Sequence, residues 1–151
     1  MPTIDEATGY KEGKTARKIE QRTKKMPSDV FLWAALASMA AIDLQANRLD
    51  DAAARAREAA DSAAKLKERD WIVQARRIEG TALLRQGKSE PAAAAFRQAL
   101  GPFEEMRSGL SGPALAGFLA RPETAALGRD AAAALATVPA DHDRLLALLR
   151  P

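Results

Sequence analysis

Apolar positions in this chain recur every three or four residues, in runs separated by short polar breaks, and this period predicts helices. The run from Phe31 to Ala46 is almost continuously apolar, and Asn47 after it is suited to a left-handed C-cap. Ser28 or Asp29, just past Pro27, is the expected N-cap. A second helix is expected from Asp50 or Asp51 to about Glu68, with acids early and Lys65, Lys67 and Arg69 late, as the helix dipole favours. A third is expected over Trp71–Gln86, stopped by Gly87. The fourth opens at Ser89-Glu90-Pro91, where proline's missing N–H does no harm, and runs to about Arg107. Beyond Ser108, glycines and prolines break the pattern into short helices expected over Pro113–Ala120, Pro122–Thr137 and Asp141–Leu149.

The segment Trp71–Leu100 repeats much of Phe31–Ala60 at an offset of 40 residues. Ala35 matches Ala75, Leu44 matches Leu84, Ala52–Ala54 match Ala92–Ala94, and Arg57 and Ala59 match Arg97 and Ala99. Alanine-rich chains generate chance Ala–Ala matches. They do not readily co-register a break residue (Asn47, Gly87), the leucine before it and the small-residue block after it. A helix pair recurring at fixed period signals stacked repeats, whose usual output is a binding surface.

Composition narrows the fold to all-α. Apolar residues make up 47% of the chain but aromatics only 5%, so the core is built from Ala and Leu with a few Phe and Trp. Alanine favours helix, and β-branched residues, which favour strands, are scarce. Alanine buries little area at ~25 cal/mol per Å2, so stability must come from close helix approach. With no cysteine, disulfides and thiolate metal sites are excluded. A cytoplasmic location is expected, with membrane association the alternative.

Charge is mild overall at +3 but concentrated at the start, where Lys11–Lys25 holds seven Lys/Arg against Glu12 and Glu20. Lys14–Lys25 is compatible with a helix, but Ala16, Ile19 and Thr23 give it only a thin apolar stripe. Lys14, Arg17, Lys18, Arg22, Lys24 and Lys25 are candidates for contact with anionic lipid or phosphate. Nucleic acid is the weaker option, because the segment lacks stacking side chains apart from Tyr10. The apolar run Val30–Ile42 falls short of the ~20 residues a bilayer requires. It is read as a buried repeat helix, with an interfacial anchor or a cleaved signal as alternatives. The leader before it, with Asp5, Glu6, Glu12 and Glu20, fits a secretory n-region poorly.

The third and fourth segments carry Gly80, Leu83, Gly87, Ala92, Phe96 and Ala99. Their spacing resembles that of tetratricopeptide repeats: small then large on helix A, glycine at the turn, then small–large–small on helix B. The first pair has Ala40, Asp43, Asn47, Ala52, Ala56 and Ala59 there, and Asp43 departs from the pattern where a large apolar residue belongs. The 40-residue period resembles the longer repeats of bacterial regulators. The block TGYKEGKTARKIEQRTKKMPSDVFLW is similar to the openings of small uncharacterised bacterial proteins that continue into a hydrophobic segment.

The resemblance implies antiparallel helix hairpins stacked as a short TPR-like α-solenoid. A basic segment (1–27) would precede two hairpins (28–108) and a helical C-terminal cap (109–151). It further implies a concave wall from helix A, carried here by Gln74, Arg77, Thr81 and Arg85, which would accept a protein or peptide, an acidic one included; an ordinary solvated helix face is the alternative reading of the same four residues. The same positions in the first copy are Ala34, Ala37, Ala41 and Leu44. Trp33 and Trp71 are expected as core wedges, although such residues also serve as binding hot spots. Catalysis has little support: the single histidine, His142, sits between Asp141 and Asp143 at a helix start, and no phosphate loop, nucleophile elbow or metal-spaced cluster appears. No cofactor or metal is expected, and a homo-oligomer is one of the expected assemblies.

Overall fold

The computed structural model describes residues 27–151, which are 83% helical in seven helices, with no strand among them. They are α1 Pro27–Gln45, α2 Leu49–Lys65, α3 Arg69–Arg85, α4 Ser89–Ser108, α5 Gly112–Leu119, α6 Pro122–Ala134 and α7 Pro139–Leu148. The expected helix over Lys14–Lys25 lies outside the described residues. Consecutive helices α1 to α4 pack side by side, α1 also touches α3, and α6 packs on both α3 and α4.

The first three turns share one geometry. Asn47, Lys67 and Gly87, spaced 20 residues apart, have φ of 61°, 56° and 78°. In each, the left-handed residue donates to the carbonyl three back: Asn47 to Leu44 at 3.1 Å, Lys67 to Ala64 at 3.1 Å and Gly87 to Leu84 at 3.0 Å. The next residue donates five back: Arg48 to Asp43 at 2.8 Å, Glu68 to Ala63 at 3.0 Å and Lys88 to Leu83 at 2.9 Å. This paired pattern is a Schellman closure, which satisfies the last carbonyls of each helix. The 40-residue sequence echo therefore contains a 20-residue structural one.

Several expected boundaries move as a result. Arg48, Glu68 and Lys88 both close one helix and precede the next, so α2, α3 and α4 begin at once, without a side-chain cap. Asp50, Asp51 and Ser89 thus lie inside helices, as do Ser28 and Asp29, because α1 starts at Pro27. The second helix ends at Lys65 instead of Glu68, and α6 ends at Ala134 instead of Thr137.

The core has two characters. Between α1, α2 and α3 it is an alanine seam: Ala37 meets Ala59, Ala60 and Ala75, while Ala40 and Ala56 meet Ile78. Between α3, α4, α6 and α7 it is built from larger groups, with Val73, Phe96, Leu100 and Phe103 against Leu127, Leu135, Leu145 and Leu148. At Gly80 the α3 backbone lies directly under the Phe96 ring. A Cβ built there would sit 2.6 Å from Phe96 Cδ2, so only glycine allows this approach.

Asp43, the departure noted in the first repeat, is accommodated by charge. It is 2% exposed and accepts hydrogen bonds from Arg48 Nε at 2.9 Å and from Arg55 Nη1. The second repeat places Leu83 at the same position, and Leu83 packs among alanines. Burial acts to raise the Asp43 carboxyl's pKa. The hydrogen bonds from Arg55 and Arg48, with their charges, outweigh it and hold the group below its ordinary 3.8.

Candidate binding face

Helix α3 positions the candidate groove, and its neighbours decide which arc of it stays uncovered among the described residues. With about 100° between successive residues, each face of α3 meets a different element. Ala75, Ile78 and Ala82 point toward α1 and α2. Gly80 and Leu83 meet α4. Val73 and Arg77 lie on the side of α6, where Arg77 Nη1 donates to Asp130 at 3.0 Å. Between the α1 side and the α6 side remain Gln74, Thr81 and Arg85, which share an arc about 40° wide.

The four sequence-derived groove residues thus divide. Arg85 is exposed and reaches across to α1, donating to the Leu44 carbonyl at 3.3 Å. Thr81 is half-buried and returns its hydroxyl proton to the Arg77 carbonyl at 2.8 Å. Arg77 is drawn to the α6 edge, its side chain 22% exposed and paired with Asp130. Gln74 accepts from Arg77 Nε at 3.4 Å, and its Nε2 is buried with no hydrogen-bond partner among the described residues. An unpaired buried amide costs free energy, and here it lies beside the Arg77 guanidinium. On α1 the flanking positions are Ala34, half-buried, and Ala41, exposed, while Ala37 is buried against α2 and α3 and Leu44 is half-buried. The wall is therefore apolar on the α1 side and polar to basic on the α3 side.

Asp130 is the residue that sequence reasoning missed. It sits in α6, between Arg77 on one side and Arg129 at 3.3 Å on the other. No periodic signal in the broken C-terminal third points to it, because its role depends on how α6 folds back onto α3.

The tryptophans also divide. Trp33 is buried, as expected, and its ring lies 4.6 Å from that of Trp71 at 48°. Trp71 is 38% exposed, so it covers its partner instead of wedging between helices. Val30–Ile42 belongs to α1, which packs through Trp33, Ala37 and Ala40, and no helix of the described residues is long and apolar enough to cross a membrane. The lipid or phosphate candidates Lys14, Arg17, Lys18, Arg22, Lys24 and Lys25 lie outside the described residues. His142 is half-buried in the first turn of α7.

A cleft of about 320 Å3 opens on the far side of α3, between α2 and α4. Its charges are already satisfied. Glu79, 4% exposed, accepts from Arg57 and Arg76 at 2.8 Å each, and Arg76 also reaches Asp61 at 3.0 Å. A cleft whose guanidiniums are matched internally offers little to an incoming anion. Against protein-family models, curated proteins and solved structures, the chain matches none.

Proposed function

We propose that this chain is a non-catalytic binding module that presents a preformed, TPR-like helix-A face to an acidic protein segment or peptide. The observation that carries this reading is the uncovered arc of α3, with Gln74, Thr81 and Arg85 between α1 and α6. Helices on both sides hold it rigid, so little conformational freedom is lost on binding. The chemistry favours a carboxylate: exposed Arg85 offers a fork of donors, and Ala34 and Ala41 a shallow apolar strip. The Asp130 carboxylate already seated on Arg77 is an internal example of what this wall accepts. The proposal includes a solenoid-like stacking of the two hairpins, since such arrays work through their inner helices.

Selection from a displayed peptide library tests the proposal. Enriched peptides should be rich in Asp and Glu, and calorimetry should show at least tenfold weaker binding to a Thr81→Glu/Arg85→Glu variant. A Gln98→Glu variant, on the far side of the molecule, should bind as wild type. Equal binding to the groove variant would discard the face.

A further inference from the structure

The outer face of α1 is an unfilled copy of an interface the protein uses internally. Shifted by 40 residues, Phe31, Ala35, Ser38 and Ile42 correspond to Trp71, Ala75, Ile78 and Ala82. On α3 those positions meet α1 and α2: Trp71 stacks on Trp33, Ala75 packs on Ala37, and Ile78 packs on Ala40. On α1 nothing described precedes them, so Phe31 is 69% exposed and Ile42 57%, with Leu32 and Met39 exposed beside them.

The opposite end of the array is closed. Helices α6 and α7 cover the corresponding faces of α3 and α4 with Leu127, Leu135 and Leu145. Head-to-tail addition of a second chain therefore has no receiving end, while two α1 faces can close on each other. We infer that this face pairs with the same face of a second copy, giving an antiparallel, two-fold α1–α1 dimer.

Three features select that occupant. The face carries no charged side chain, so two copies meet without like-charge repulsion. Its large groups stand at the two ends (Phe31 and Leu32; Met39 and Ile42), with Ala35 and Ser38 between them. Antiparallel pairing sets the Phe31 end of one copy on the Ile42 end of the other, and the small residues cross at the axis. Four large apolar groups stand exposed together, Phe31, Leu32, Met39 and Ile42, a patch smaller than the ~800 Å2 per partner of a tight dimer and suited to a weak one. The chain's own first residues are a poorer occupant. Lys14–Lys25 is sparse in apolar side chains and holds six Lys/Arg against Glu20, a poor match for an uncharged apolar face.

Sedimentation velocity on the full chain across about 1–200 μM tests this. The expected result is a weak monomer–dimer equilibrium whose midpoint falls within that range. Ile42→Glu and Phe31→Glu, both at exposed positions, should each weaken it at least tenfold with unchanged helical circular dichroism. A wild-type chain monomeric throughout overturns the inference, as does a folded variant that dimerises equally well. A monomer that pellets with phosphatidylserine vesicles in 0.5 M salt would assign the face to lipid and equally overturns it.

Discussion

Replacing Gly80 with alanine tests whether α3 and α4 approach as closely as described. In an open helix interior this change is favourable by about 1 kcal/mol, because alanine loses less backbone entropy on folding. Gly101, inside α4, has nothing within 4 Å of a built Cβ, so Gly101→Ala should show most of that gain. At Gly80 the new methyl would lie 2.6 Å from Phe96 Cδ2. Phe96 is fully buried among Leu100, Phe103 and Leu127, so its ring has no free space into which to retreat. Overpacking of this kind costs about 1–3 kcal/mol, which outweighs the propensity gain. Gly80→Ala should therefore destabilise by about 1 kcal/mol or more, leaving the two variants about 2 kcal/mol apart. Urea unfolding followed at 222 nm reads this as midpoints displaced in opposite directions at equal m. In the background of Phe96→Leu, much of the Gly80→Ala penalty should disappear, a coupling visible in a double-mutant cycle. If Gly80→Ala raised the midpoint as much as Gly101→Ala, the close contact, and the α3–α4 packing built on it, would be wrong.

Other expectations follow from the turns and the charged pairs. Lys67→Gly should raise thermal stability by about 0.5–1 kcal/mol, because a side chain at φ 56° is strained and glycine is not; Asn47→Gly should gain less, since asparagine tolerates that region. The folded-state pKa of Asp43 is depressed, so its stabilisation is fully present above the ordinary 3.8 and is lost as pH falls through the lower folded value. Acid titration of unfolding should accordingly show a loss below 3.8 that Asp43→Asn removes, with the variant less stable than wild type at neutral pH. Asp130→Asn should free Arg77 and raise affinity for acidic peptides severalfold in calorimetry, at a cost in stability of about 1 kcal/mol or less, because the pair is partly solvated.

The first four described helices were legible because two signals agreed: alanine-rich apolar runs, and break residues, Asn47 and Gly87, at equivalent points of the two copies of the 40-residue echo. The middle turn carried no such mark. Lys67 adopts the same left-handed conformation as Asn47 and Gly87, yet lysine is not a residue whose identity announces it. That Gly80 marks a close approach of two helices could be read from its small side chain; that Phe96 is the group lying over it could not. The accommodation of Asp43 could not, since Arg48 and Arg55 approach it only once α1 and α2 have folded against each other. The groove residues were carried over from the groove positions of the repeat family that the chain resembles, and the structure separates them by their neighbours. Thr81 and Arg85 keep to the uncovered arc, while Arg77 turns to α6. That division depends on Asp130, which arrives from 53 residues away in sequence, beyond the reach of any local pattern.

The account rests most heavily on the uncovered arc of α3 being where a partner sits. Amide chemical-shift mapping of the labelled chain, titrated with an acidic peptide from the library selection, addresses this directly. The account predicts that the largest shifts fall on Gln74, Thr81 and Arg85, with Ala34 and Ala41 across the groove. Shifts concentrated instead around Arg57, Arg76 and Gln98, in the cleft between α2 and α4, would contradict it.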